Sequence, residues 1–160
     1  MNRGFTLVEL MITLAVAAIL ASLAAPSFTR MIEDNRVTTQ ANDLLTSIAL
    51  ARAEAVKRGT TVTIAPTTVG GDYASGWCIL TGAGATCGAA GTTTIRTHEA
   101  LTQVTLAGAT PISFDSYGVN SSGATTITMA PPGCASGDSR QRSLTVNRAG
   151  HARIEVLPCP

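Results

Sequence analysis

This sequence is poor in charge. Of its 160 residues only 13% are Asp, Glu, Lys or Arg, and the formal net charge is +1. Such a balance gives no global electrostatic pull toward nucleic acid. With 45% hydrophobic residues the chain is not a disordered tail either. Aromatic residues are scarcer still, at 4%, which argues against stacking platforms for single-stranded bases. The two histidines, His98 and His151, belong to no motif tying them to a nucleophile, and His98-Glu99 reads as a solvated turn at a strand end. The glycine-rich stretch Gly82-Ala83-Gly84 lacks the lysine and following helix of a phosphate loop. No catalytic set is legible, so an enzyme is not expected, and no cofactor or metal is called for.

Long apolar runs are also missing, with one exception. Leu7 to Ala25 is almost continuously apolar, and the stretch to Pro26 has about the 20 residues a helix needs to cross a bilayer core. Arg3 precedes it, which favours a cytoplasmic N-terminus. An ordinary secretory signal would be cut after the run, near Ala21-Ser22-Leu23-Ala24-Ala25. Glu9 speaks against that reading. A carboxylate in such a segment costs about 2.5–3.5 kcal/mol at the bilayer centre, less near the interface, and is usually kept for a partner.

Gly4 followed by Phe5-Thr6-Leu7-Val8-Glu9-Leu10, with Pro26 about one span later, resembles the N-terminus of type IV pilins and type II secretion pseudopilins. The resemblance implies cleavage after Gly4 by a prepilin peptidase and N-methylation of Phe5. It also implies a role for Glu9 in assembly, pairing with the N-terminal amine of a neighbouring subunit. Two ions in an apolar setting are far cheaper paired than alone. The expected organisation is a leader at 1–4, a transmembrane and assembly helix at 5–26, its amphipathic continuation at 27–59 and a β-rich periplasmic head at 60–160.

The continuation rests on a stripe. Val37, Ala41, Leu44, Leu45, Ile48, Ala51, Ala55 and Val56 recur at three- and four-residue steps, and Gly59 suits a C-cap. One long helix from Phe5 to about Arg58 follows, with Pro26 as the place for a bend. Beyond Thr60 the pattern changes to short β-prone runs: 61–65, 78–80, 93–97, 104–106, 112–114, 125–129, 143–146 and 152–156. Most are separated by Gly-, Ser- or Pro-bearing turns, as in antiparallel sheets. The expected fold class is α+β, a long N-terminal helix packed on a small antiparallel β-sheet head. Four cysteines, Cys78, Cys87, Cys134 and Cys159, lie outside the apolar run. An even count in an exported chain suggests disulfides, and four cysteines allow three pairings. Cys78–Cys87, closing a glycine-rich loop, and Cys134–Cys159, stapling the C-terminus, are favoured. Free thiols and a zinc site are the alternatives, the latter without CxxC spacing to support it.

Three head segments resemble the GspH/FimT group in particular: Ala51 to Gly59, Phe114 to Gly118, and Leu144 to Arg153. That group holds the minor pseudopilin GspH and the minor pilins FimT and FimU. Membership implies an inner-membrane single-pass subunit assembled into a pilus or a periplasmic pseudopilus. Its partners would be other minor pilins, the major pilin and the inner-membrane assembly platform. A C-terminal cysteine and a short leader favour the minor pilins; a GspH-like role in type II secretion is the alternative. FimT-like pilins also imply DNA uptake in natural transformation through a C-terminal Gly-Arg-x-Arg element. Here it reads Gly150-His151-Ala152-Arg153, with His in place of the first Arg. The DNA-binding candidates are Arg140, Arg142, Arg148, His151 and Arg153. The competing reading is a solvated basic face beside the C-terminal disulfide.

Overall fold

A computed structural model describes residues 5–68, 70–84, 86–108 and 111–160, with Pro26 described in its backbone only. The leader residues Met1 to Gly4 lie outside that range. Helix α1 runs Leu7–Arg58, passing through position 26 as a single element. Its first turn is capped locally: the Thr6 hydroxyl accepts from the Glu9 N–H at 3.2 Å. Thr6 and Glu9 are spaced as a capping box, and an acidic side chain suits the positive end of the helix dipole. At the other end Gly59 takes φ +63°, and the Thr60 N–H donates to the Ala55 carbonyl, a Schellman-type stop.

The chain packs as two units, one up to Asn35 and one from Arg36 to Pro160. In the first, every described side chain from Phe5 to Ile32 is exposed. The second has its own core. Val37, Ala41, Leu44, Ile48, Ala51 and Ala55 repeat at steps of four and three and are at most 1% exposed. They form the buried face of the helix. Leu45 is half-buried, and Val56 is exposed, so these two lie off the buried face.

Eight strands follow among the described residues: β1 Val62–Pro66, β2 Trp77–Thr81, β3 Thr93–His98, β4 Thr105–Ala107, β5 Ile112–Phe114, β6 Thr125–Ala130, β7 Gln141–Val146 and β8 Ala152–Leu157. They make two antiparallel four-stranded sheets, ordered β3-β2-β1-β5 and β4-β6-β7-β8. Alternation decides what each face does. Val62, Ile64, Trp77, Ile79, Ile112 and Phe114 of the first sheet join Ile127, Met129, Leu144 and Val146 of the second in one core with the helix stripe. The opposite face of the first sheet carries a smaller cluster, Ala65, Cys78 and Leu80, with Cys87 packed against it.

A 3-10 turn, Tyr73–Ser75, is an element the β-prone reading did not contain. Asp72 caps it, accepting from the Ala74 N–H at 3.0 Å, and it buries Tyr73 against Trp77 edge-to-face. The Tyr73 hydroxyl donates to the Ile64 carbonyl at 3.1 Å. Burial holds its pKa well above the ordinary phenol range. His98 is also not a solvated turn residue. It ends β3 opposite Trp77, and the two rings stack at 3.9 Å and 5°.

Candidate functional site

The N-terminal assembly element presents Phe5, 81% exposed, and an exposed Glu9. Gly4 lies outside the described residues. Sequence reasoning assigned Glu9 to a partner and overlooked Thr6, although the Thr-x-x-Glu spacing was legible. Glu9 thus has a local place at the helix start as well as a free carboxylate face.

In the head, three segments distant in sequence meet around Arg52. Its Nε donates to the Gly118 carbonyl at 3.0 Å. Gly118 belongs to a turn built by Asp115, whose carboxylate accepts from the Tyr117 and Val119 N–H groups, each at 2.9 Å. Gly150 closes the neighbouring turn, where Asn147 accepts from the His151 N–H at 2.9 Å. Both glycines need their conformation: φ is +78° at Gly118 and +79° at Gly150. A Cβ on Gly150 would lie 2.2 Å from the Gly118 carbonyl oxygen. The Asn120 N–H donates to the Arg148 carbonyl at 3.0 Å, fastening the same two turns. The GspH/FimT-like segments are therefore one structural corner.

This corner sorts the cationic candidates. Arg148 and His151 are exposed on the β7–β8 turn, and Arg153 is on the first turn-proximal stretch of β8. His151 and Arg153 line one depression of about 310 Å³ with Thr145 and Asn147. Tyr117, 85% exposed, sits on the abutting turn, an aromatic that the composition alone gave no reason to single out. Arg153 is 3.4 Å from Glu155, which offsets part of its charge. Arg140 and Arg142 do not join them. Arg142 pairs with Val156, at the far end of β7, about 13 Å along the strand from Val146. Its parity is that of Leu144 and Val146, opposite to that of Arg153, which pairs with Thr145. Its Nη1 donates to the Gln141 carbonyl at 3.3 Å. A one-residue offset in a strand changes the face, so proximity in sequence did not make a patch.

Cys78 is bonded to Cys87 and Cys134 to Cys159, with Cα separations of 5.7 and 6.0 Å. The first holds the glycine-rich loop over the outer face of the first sheet, and the second ties the chain end to the loop before β7. Among the described residues no group of three His, Cys, Asp or Glu is placed to hold a metal ion.

Residues 40–150 match the family of type II transport protein GspH, and residues 1–25 match the prokaryotic N-terminal methylation motif. The chain belongs to the GspH family of type IV pilin-like proteins. None of the curated proteins matches it. Solved structures of two pilin-like proteins are among those that share its fold. The type IV minor pilin FimU of Pseudomonas aeruginosa aligns at TM-score 0.61 and 22% identity, over 80% of this chain and 92% of that one. The minor pseudopilin EpsH of the type 2 secretion system of Vibrio cholerae aligns at TM-score 0.57 and 14% identity, over 76% and 97%. The GspH match contains Arg52 and both glycines of its corner and stops at Gly150. His151, Arg153 and Cys159 thus belong to the part of this family member that lies beyond the matched range. Helix α1 is long and apolar enough to cross a membrane, and together with the methylation motif this fits a membrane-anchored pilin-like subunit.

Proposed function

We propose that this GspH family member is a minor type IV pilin, a structural subunit that takes part in pilus assembly and priming and does no chemistry itself. One observation carries the reading. An exposed apolar surface runs from Phe5 to Ile32, headed by the methylation motif, and Glu9 is the one charge before Arg30. Such a surface needs lipid before assembly and neighbouring helices afterwards. The unit beyond it carries its own core and two disulfides, which suits an oxidising periplasm. The leader at 1–4 would be removed after Gly4, leaving methylated Phe5 as the first residue and its amine within reach of a neighbour's Glu9. Partners would be other minor pilins, the major pilin and the inner-membrane platform.

Mass spectrometry of the chain recovered from sheared pili tests this. A mature chain starting at methyl-Phe5 supports the reading. A start near Ser27, or recovery only with secretion pseudopili, overturns it, the latter in favour of a GspH-like role.

A second reading, DNA capture, rests on Arg148 and His151 on one exposed turn, Arg153 at the start of the strand that follows it, and Tyr117 on the abutting turn. Each arginine can hydrogen-bond a phosphate, and each contact adds about −0.9 to the salt slope on duplex DNA. The test is a titration of the full chain in detergent micelles with duplex DNA at several salt concentrations. Binding that weakens with salt and falls in Arg148→Ala or Arg153→Ala supports capture. Binding that survives both substitutions removes this turn as the site.

A further inference from the structure

The corner where β3 meets the helix has a job that neither assembly nor DNA requires. Strand β3 is an edge of its sheet, paired only with β2, and most of its side chains are exposed. Ile95 and His98 alone on this strand are partly buried. His98 faces three groups at once. Its ring lies flat on Trp77. Its Nδ1 is 2.8 Å from the Glu99 carbonyl oxygen, and its Nε2 is 3.9 Å from the Asp43 carboxylate on α1.

These contacts differ between the two protonation states. A carbonyl oxygen only accepts, so in neutral His98 the Nδ1 must carry the proton. Nε2 is then a bare lone pair turned toward a carboxylate. Protonation places an N–H on Nε2 and a positive charge both beside Asp43 and over the indole face, where a cation is favoured. The segment beyond β3 is held to the same helix and to the 3-10 turn. The Thr102 carbonyl accepts from Gln40 Nε2, Gln103 accepts from Arg36, and the Leu101 N–H donates to the Ala74 carbonyl. Gly76 permits the close approach, since a Cβ there would lie 2.7 Å from the His98 carbonyl oxygen.

We propose that His98 is a proton-operated clamp that tightens the end of β3 and the 99–103 segment on helix α1 when it is charged and loosens them when it is neutral, within the slack left by the bonds to Gln40 and Arg36. The charged or titratable groups nearest in the chain to these contacts are Asp43 and Arg36 on α1, Arg96 on β3, Glu99 beyond it, and Asp72 and Tyr73 at the 3-10 turn. Asp43 is the one that meets Nε2. His98 and Asp43 are both partly exposed, so the effect is local rather than global.

Trp77 is the sole tryptophan, so its emission reports directly on the stacked imidazole. In the full chain in detergent micelles, acidified from about pH 9 to about pH 4, emission is expected to fall in one step as an imidazolium forms against the indole. Amide protection over 97–103, corrected for intrinsic exchange, is expected to rise about two- to five-fold across the same step, as for a partly exposed ion pair. His98→Gln should remove both changes, and His151→Gln neither. Asp43→Asn should keep the quench but lose the gain in protection, because it leaves the stack and removes the anchor. A quench that persists in His98→Gln overturns the proposal. So does a protection gain that survives Asp43→Asn, or wild-type emission that is flat over this range.

Discussion

At the scale of single residues, the head depends on a few positions where the backbone leaves no room. Gly150 combines a left-handed φ with a neighbour's carbonyl where its Cβ would go. Gly150→Ala is expected to cost about 1–3 kcal/mol and to lower the melting temperature of the head. A melting curve like that of the wild type would mean the two turns can part without loss. Tyr73 offers a pH test. Burial favours its neutral form, so its contribution is complete below the ordinary phenol value and is lost as pH rises above about 10. Tyr73→Phe should be less stable at neutral pH by about 1 kcal/mol for the lost hydrogen bond to Ile64. It should also lose less stability between pH 9 and 11 than the wild type does; equal losses would mean another group governs the alkaline limb. The glycine at 150 was legible as a turn in the sequence, but its contact with Gly118 was not, since a separation of 32 positions gives no local signal.

Among the elements, helix and strands follow from local pattern. The four- and three-residue steps from Val37 to Ala55 give the buried stripe directly, and apolar runs between glycine turns give all eight strands to within a few residues. The 3-10 turn escaped because its signal is a single Asp cap followed by a tyrosine, too short for periodicity. Val56 was misplaced because a stripe of period 3.5 reaches positions on both of its borders, and the border facing water is set by what packs opposite. The disulfides act at this scale. Cys134–Cys159 closes a separation of 25 residues, for which loop entropy suggests about 3 kcal/mol. Cys159→Ala, with its partner also replaced, should lower the melting temperature and speed exchange in β8 first, because β8 is the edge strand next to the staple. An unchanged β8 would mean the strand is held by β7 alone.

For the whole molecule, the deciding contrast is between an N-terminal unit without a core and a head with one. Glu9→Gln keeps hydrogen-bonding capacity at the helix start but removes the charge. The expected outcome is a normally folded head and loss of the subunit from sheared pili, measured by immunoblot. Normal incorporation would mean that the charge of Glu9 is not needed for assembly. The sequence by itself determined the long apolar segment, the helix, the eight strands of the described residues and the family, because each is written in local periodicity, turn residues or a contiguous motif. Only the tertiary structure decided which distant segments share a corner. It joined Arg52 to two glycine turns, separated Arg142 from Arg148 and Arg153, and laid His98 on Trp77 within reach of Asp43. Those outcomes depend on strand register and sheet order, which fix the face and neighbours of every side chain and leave no trace in any single stretch of sequence.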